Sequence, residues 1–257
     1  MTFRDLHHGD LPLLLPNAWD VASALGFVDA GFTAIGTTSF GVAASGGRTD
    51  GARSTAEATR ALVRALSVLP VYVSADVEDG YHDDPERVAE YVSGLGVAGV
   101  NIEDSSVGAL VDPRAHAAKV AAVKRRVPEV FVNARVDTYW LGEDATVAAT
   151  LERCVAYVDA GADGVFVPGV SDPDVLKRLA SAVRVPLNVL VVPDLSLVEL
   201  AALGVRRVST GSLPYRAAVD AAVSVAEAVR AGRRPVGATS YPRMQDRLTR
   251  FGAMSAR

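Results

Sequence analysis

The sequence predicts an α/β fold of eight alternating units, a closed (β/α)8 barrel carrying one extra carboxy-terminal helix. Short β-branched apolar runs alternate with longer helical patterns along the whole chain, which argues for βαβ units on a parallel sheet. The length of 257 residues matches the roughly 250 residues of a TIM barrel. The phrases DAGFTAIG, GLGVAGVNIE and DAGADGVFV repeat one device, helix end then Gly then strand, at three places. An open doubly wound sheet is the alternative to closure.

The eight strands are expected at 11–15, 32–37, 71–77, 99–103, 130–136, 164–167, 187–191 and 206–210. Amphipathic stretches such as 84–95 and 144–160 lie between them, opened by Asp, Ser or Pro and closed by Gly, as capping requires. The stretch after Ser212 reads as the last barrel helix, and 239–251 as an added helix able to pack on a neighbouring subunit. Gly and Pro cluster only at turns, so one barrel domain over 1–257 is expected.

Composition narrows the partners. The net charge is -4 with scattered arginines, which leaves no basic stripe to neutralise a nucleic-acid backbone. No run of about 18 apolar residues and no signal-peptide pattern occurs, so neither a membrane span nor export is expected and the reading is cytoplasmic. The one cysteine, Cys154, has no disulfide partner and no second thiol for a zinc site, and falls inside a helical pattern.

In such a barrel the active site is built at the C-terminal ends of the strands. The third strand ends in Asp76 and Glu78, which period-2 alternation places on one side. The fourth ends in Asn101, Glu103 and Asp104, and the loop after the second carries Asp50. Four converging carboxylates, Asp76, Glu78, Glu103 and Asp50, with no lysine beside them call for a cation, and oxygen-only ligation suits Mg²⁺, with Mn²⁺ as a substitute. Because Mg²⁺ keeps several waters, one direct ligand is expected, Asp76, with the other acids acting through water. Each acid taken singly also reads as a helix cap or a solvated loop residue.

Arg135 ends the fifth strand and can bind a carboxylate or stabilise an enolate; an ion pair with Asp137 is its structural alternative. Thr37, Thr38, Ser39, Phe40 and Gly41 after the second strand offer hydroxyls and backbone N–H groups for a carboxylate or phosphoryl group. Tyr81 and His82, just past the third strand, are placed to act as acid or base, and read equally well as loop residues. Lys119, Lys124 and Lys177 all fall in helices, which disfavours a Schiff-base aldolase. The four histidines lack zinc-site spacing, and no nucleotide-binding glycine fingerprint is present.

The motifs LPNAWD, GFTAIGTTSFGVAASGGRTDG, SADVEDGY, GVNIED and VNARVD, in this order, resemble the isocitrate lyase and phosphoenolpyruvate mutase superfamily over nearly the whole chain. The resemblance implies that Asp76 binds Mg²⁺ directly, that Asp50, Glu78 and Glu103 hold metal waters, and that Thr38 and Ser39 hold substrate oxygens. Arg135 would then steady developing charge on a pyruvate-type enolate. It also implies a homo-oligomer, a tetramer or a dimer. Two departures stand out. Lyases of that superfamily carry a Lys-Lys-Cys-Gly-His type motif in the loop after the fourth strand, whereas 104–112 here holds no Cys, Lys or His. The sixth strand ends in Pro168 and Gly169, where many relatives place Glu or His. The metal and enolate half is retained and the acid–base half is changed.

The expected function is therefore a Mg²⁺-dependent lyase or decarboxylase cleaving a C–C bond of a small 2-oxo or 2-hydroxy dicarboxylic acid. A mutase-like or phosphonopyruvate hydrolase-like enzyme acting on a C–P bond is the second reading. A non-catalytic barrel that binds metal and carboxylate is the third.

Overall fold

The computed structural model describes residues 1–256. Its strands are β1 (Leu13–Leu15), β2 (Asn17–Ala18), β3 (Ala34–Thr37), β4 (Tyr72–Asp76), β5 (Gly99–Glu103), β6 (Ser105–Ser106), β7 (Ala109–Leu110), β8 (Phe131–Arg135), β9 (Gly164–Phe166), β10 (Leu187–Leu190) and β11 (Val205–Ser209). Nine of them form one parallel sheet in the order β1-β11-β10-β9-β8-β5-β4-β3-β2. β1 and β2 are halves of one stave interrupted at Pro16, which has no N–H to give to a ladder. β1 pairs with β11 and β2 with β3, so that broken stave closes the circle. The eight expected strands are all found, each end within two residues of its expected position except in the first, which is split in two and runs on to Ala18, three residues past its expected end.

Between the staves run α1 (Val21–Asp29), α2 (Ser39–Ser45), α3 (Ala56–Leu66), α4 (Pro85–Ser93), α5 (Pro113–Arg126), α6 (Thr138–Leu141), α7 (Val147–Asp159), α8 (Pro173–Ala182) and α9 (Leu197–Ala202). α10 (Leu213–Arg230) and α11 (Tyr241–Ser255) follow the last stave. Asp20 and Ser196 build capping boxes, and Asp84, Asp112 and Asp172 cap helices that begin with Pro. These are the Asp, Ser and Pro openings that the sequence announces.

The main core lies between staves and helices: Ile35, Val100, Val132, Val165 and Val189 face Val88, Val120, Val123, Leu176 and Leu200, all buried. Each fully buried aliphatic chain of this kind stabilises the fold by roughly 1.5–3 kcal/mol. A second cluster of Phe3, Leu15, Ala34 and Phe131 fills the lower end of the barrel. There His7 stacks on Phe131, with ring centroids 4.2 Å apart. Gly99 leaves room for this plug, since a Cβ there would sit 2.7 Å from the Phe3 ring. Above the plug the interior turns polar: Asn133 donates to Asn101 at 2.9 Å and Asn188 to Ser209 at 3.0 Å.

The two last helices behave differently. α11 lies on its own barrel, where Arg247 pairs with Asp29 of α1 at 2.6 Å and Phe251 and Met254 pack on the core. This contact is internal, whereas the sequence allowed α11 a neighbouring subunit. α10 buries only Ala228 and leaves Val219, Val223 and Val229 about half exposed. No helix among the described residues is long and apolar enough to cross a membrane.

Two buried histidines make the fold acid-sensitive. Burial pushes His7 and His116 down to about 3 from the usual 6.5. A His with a depressed folded-state pKa contributes stability above 6.5 that is lost as pH falls toward 3, because only the unfolded chain takes up the proton. His116 sits edge-on to Tyr157, with ring centroids 4.4 Å apart, so Phe fits its place. We expect His116→Phe to gain roughly 3 kcal/mol on the wild type between pH 7 and pH 4 in urea melts. Parallel declines of the two proteins would refute this.

Candidate active site

Two adjoining cavities open at the C-terminal ends of the staves. The inner one, about 80 Å³, is lined by Asn17, Thr38, Ser39, Phe40, Asp76, Asn101, Phe166, Pro168, Leu190 and Ser209 among others. The outer one, about 450 Å³, is lined by Glu78, Glu103, Ser105, Ser106, Val107 and Gly108 among others. Asp50, Arg135 and Trp140 belong to both and form their common wall.

Asp76 ends β4 beside β3, where the chain turns into α2. Its Oδ2 accepts the Ser39 N–H at 3.0 Å and the Ser39 hydroxyl at 2.9 Å. Its backbone N–H donates to the Thr37 hydroxyl at 2.8 Å. Oδ1 is buried and has no partner, a costly state for a carboxylate oxygen. Burial raises the Asp76 carboxyl above its ordinary range; Arg135 pulls it back and Asp50 pushes it up again.

Glu103 ends β5 and accepts from Arg135 Nη1 at 2.7 Å. Burial pushes its carboxyl well above the usual range, against the pull of Arg135. The next residue, Asp104, points the other way by strand alternation. It accepts from the Tyr157 hydroxyl at 2.6 Å and Arg153 at 2.9 Å, behind the barrel. Arg135 donates from Nε to Asp137 Oδ1 at 2.6 Å, and Ser105 donates to the other oxygen of Asp137 at 2.5 Å. Thus the ion pair with Asp137 is formed. Among the described residues Arg135 donates only from Nε and Nη1, which leaves Nη2 without a partner there, and the guanidinium lies 5.5 Å from the Trp140 ring centre and 5.8 Å from that of Phe166. Burial works against its charge, but Glu103, Asp137 and Asp76 outweigh that and raise its pKa.

Glu78 reaches the mouth by a different route from the one alternation implies. The strand ends at Asp76, and Glu78 has φ 49, in the left-handed region that is strained for a side chain of this size. Its carboxylate accepts from the Thr55 hydroxyl and from the Arg53 N–H at 2.8 Å. Burial raises the Glu78 carboxyl as well. The Arg53 side chain grips Asp79 through Nε at 2.9 Å, tying down the loop that carries exposed Asp50 over both cavities.

Other expected residues fall outside the group. Tyr81 is buried in the core, its hydroxyl 3.0 Å from that of Thr55 and donating to Thr59 at 3.2 Å, and its ring packs on Tyr91. It lines neither cavity, and neither does His82. Positive φ at Gly80 and Tyr81 turns the chain inward before α4, so a position just past a strand end did not become a position in the mouth. Thr37 spends its hydroxyl on Asp76 and Thr38 caps α2 through the Gly41 N–H at 3.4 Å. Gly41 serves packing, since a Cβ there would come 2.7 Å from that of Trp19. Cys154 is buried, pushed up to about 12, and remote from both cavities. The segment after β5 is a two-stranded hairpin, β6 with β7, covering the outer cavity.

Whether these residues suit a dication is answered by the donor set. Among the described residues no three His, Cys, Asp or Glu side chains form a ready-made cluster, because Glu103 and Glu78 are held by Arg135, Thr55 and Arg53. The buried Oδ1 of Asp76, orphaned among the described residues, does fit a hard cation as one direct ligand. Trp140, Phe166, Leu190 and Ser209 escaped the sequence reading as cavity residues, and Asn101 entered it only as a strand-end residue without a role. Asp137 entered it only as a structural partner.

Comparison with known proteins places this geometry. The chain is 54% identical over 251 residues to an uncharacterized protein of Mycobacterium tuberculosis H37Rv, covering 98% of this chain and 97% of that one. It is 31% identical over 219 residues to an oxaloacetate decarboxylase of Rhodopseudomonas palustris, covering 79% and 73%. In fold it matches a solved phosphonopyruvate hydrolase complexed with oxalate and Mg²⁺, with a TM-score of 0.84 at 24% identity, covering 100% and 99%. The family described as phosphoenolpyruvate phosphomutase matches residues 3–230, and the chain therefore belongs to it, within the superfamily that its strand-end motifs resemble.

Proposed function

We propose that the protein is a Mg²⁺-dependent lyase or decarboxylase that cleaves a C–C bond of a small 2-oxo or 2-hydroxy dicarboxylic acid. The observation carrying this is that one inner cavity is lined by both Asp76, whose buried Oδ1 has no partner among the described residues, and Arg135. Asp76 would hold Mg²⁺, with Asp50, Glu78 and Glu103 on its waters. When bound, the ion would supply positive charge to the oxygens of the 2-oxo acid. Arg135 donates to the oxygen on which charge develops, and its clamp by Glu103 and Asp137 keeps that donor aimed without reorganisation. Ser39, bonded to Asp76, orients the carboxylate. C–C cleavage of this kind needs chiefly an electron sink, which suits a mouth lacking Cys, Lys and His in its covering hairpin. The oxaloacetate decarboxylase relative supports the same choice.

A C–P reaction is the second reading, favoured by the family's description. The test adds oxaloacetate, 2-methylisocitrate and phosphonopyruvate with Mg²⁺ to purified protein and follows pyruvate by NMR. Pyruvate from oxaloacetate, the dicarboxylic acid, is expected; turnover of phosphonopyruvate alone would select the second reading. If none turns over while Mg²⁺ and oxalate still raise the Tm, the protein is a binding barrel. The half-exposed valines of α10 support a homo-oligomer of a cytoplasmic protein, which light scattering on the same preparation checks against the 26.9 kDa chain.

A further inference from the structure

We infer that Asn101 is a ligand-binding donor on the floor of the inner cavity and that the buried Arg207 is the positioning residue that keeps it so. Arg207 lies on β11 inside the barrel and is 0% exposed. It has no ion pair among the described residues. Nη2 donates to Asn101 Oδ1 at 3.1 Å, Nε to Ser209 Oγ at 3.2 Å, and Nη1 has no partner. Such a cation is expensive to bury, and burial pushes it down to about 9. A core designed only for stability would place an apolar chain there.

What the guanidinium does is settle one amide. Asn101 Oδ1 accepts from Arg207 and from Asn133 Nδ2, the latter at 2.9 Å. Both donors face the same atom, so the oxygen must point down into the barrel and the amide nitrogen the other way. Asn101 lines the inner cavity, and among the described residues its side-chain hydrogen bonds are both to Oδ1, none from Nδ2. Two N–H groups are thus presented to the cavity beside Asp76, its neighbour across the β4–β5 ladder. Without Arg207 the amide is held only by Asn133, an amide that can itself turn over, and the pair can reverse so that Asn101 presents its oxygen, which repels an anion. The ligand recognised is a carboxylate oxygen, so this inference rests on the proposed 2-oxo acid site and adds a recognition element to it.

The experiment measures the affinity of the whole protein for oxalate in saturating Mg²⁺ by calorimetry, together with the Tm of the ligand-free protein. Arg207→Met should leave the Tm unchanged or higher, because an unpaired buried charge is removed. Oxalate affinity should nevertheless fall roughly tenfold to a hundredfold, the worth of one hydrogen bond to a charged group. Asn101→Asp keeps the shape, gives Arg207 a carboxylate partner and therefore folds; it should bind oxalate at least as poorly. A merely structural Arg207 predicts the reverse, a lower Tm with unchanged affinity. If the wild type binds oxalate and both variants bind it within about twofold, the assignment of Arg207 and Asn101 falls while the site reading stands. If the wild type itself does not bind oxalate, both are overturned.

Discussion

Asp76→Ala is expected to lower kcat/KM about a thousandfold on whichever acid is turned over, the worth of several kcal/mol of lost charge stabilisation. It should also abolish the Tm increase produced by Mg²⁺ and oxalate together. The ligand-free variant should melt close to the wild type. The lost contacts are two hydrogen bonds from Ser39, and the substitution also removes a buried oxygen that has no partner. These effects nearly offset one another. Differential scanning fluorimetry with and without both ligands gives the readout. A variant that keeps the Mg²⁺ and oxalate shift would remove Asp76 from the metal position and take the proposed chemistry with it.

Arg135→Met should act on catalysis and on folding together. The loss of a donor aimed at the developing charge predicts a fall in kcat of about 10²–10³-fold. Glu103 and Asp137 would be left in the interior without their cation, which costs roughly 3–5 kcal/mol. The deficit carries a pH signature. Burial holds the Glu103 carboxyl well above its ordinary range. A carboxyl with a raised folded-state pKa favours folding below its unfolded pKa, and that contribution is lost as pH rises through the folded value. With the guanidinium gone, the folded pKa rises further, so the stability gap between variant and wild type should narrow from pH 8 to pH 5 in urea melts. Arg135→Lys, which keeps the charge but cannot span Glu103 and Asp137 with one planar fork, should fall between the two proteins in both measurements. A gap that stays constant with pH would show that Glu103 does not depend on Arg135.

The barrel was legible because its signals are local and repeated. Each stave announces itself by a short β-branched run and each helix by an Asp, Ser or Pro at its start, and these hold wherever the element ends up. Acids and an arginine at strand ends were legible for the same reason: Asp76, Glu103 and Arg135 inherit their place from the ends of β4, β5 and β8. The limits are equally specific. Period-2 alternation holds only while the strand lasts, so it described Asp76 and then failed for Glu78, whose place depends on a left-handed turn. Tyr81, three residues from Glu78 of the mouth, was drawn into the core by Thr55, Thr59 and Tyr91, which come from other segments. Nothing in a strand reading VRRVS marks one of its arginines as buried inside a barrel and the other as facing outward.

By itself, then, the sequence determined the eightfold α/β repeat, the superfamily, and the residues that end the staves, since each follows from the periodicity and capping of contiguous residues. Only the tertiary structure decided which polar atoms remain unpaired among the described residues: Asp76 Oδ1, Arg135 Nη2 and Asn101 Nδ2. That outcome depends on partners such as Ser39, Asp137 and Arg207, which approach from distant parts of the chain, and hydrogen-bond satisfaction is a property of the closed barrel rather than of any segment.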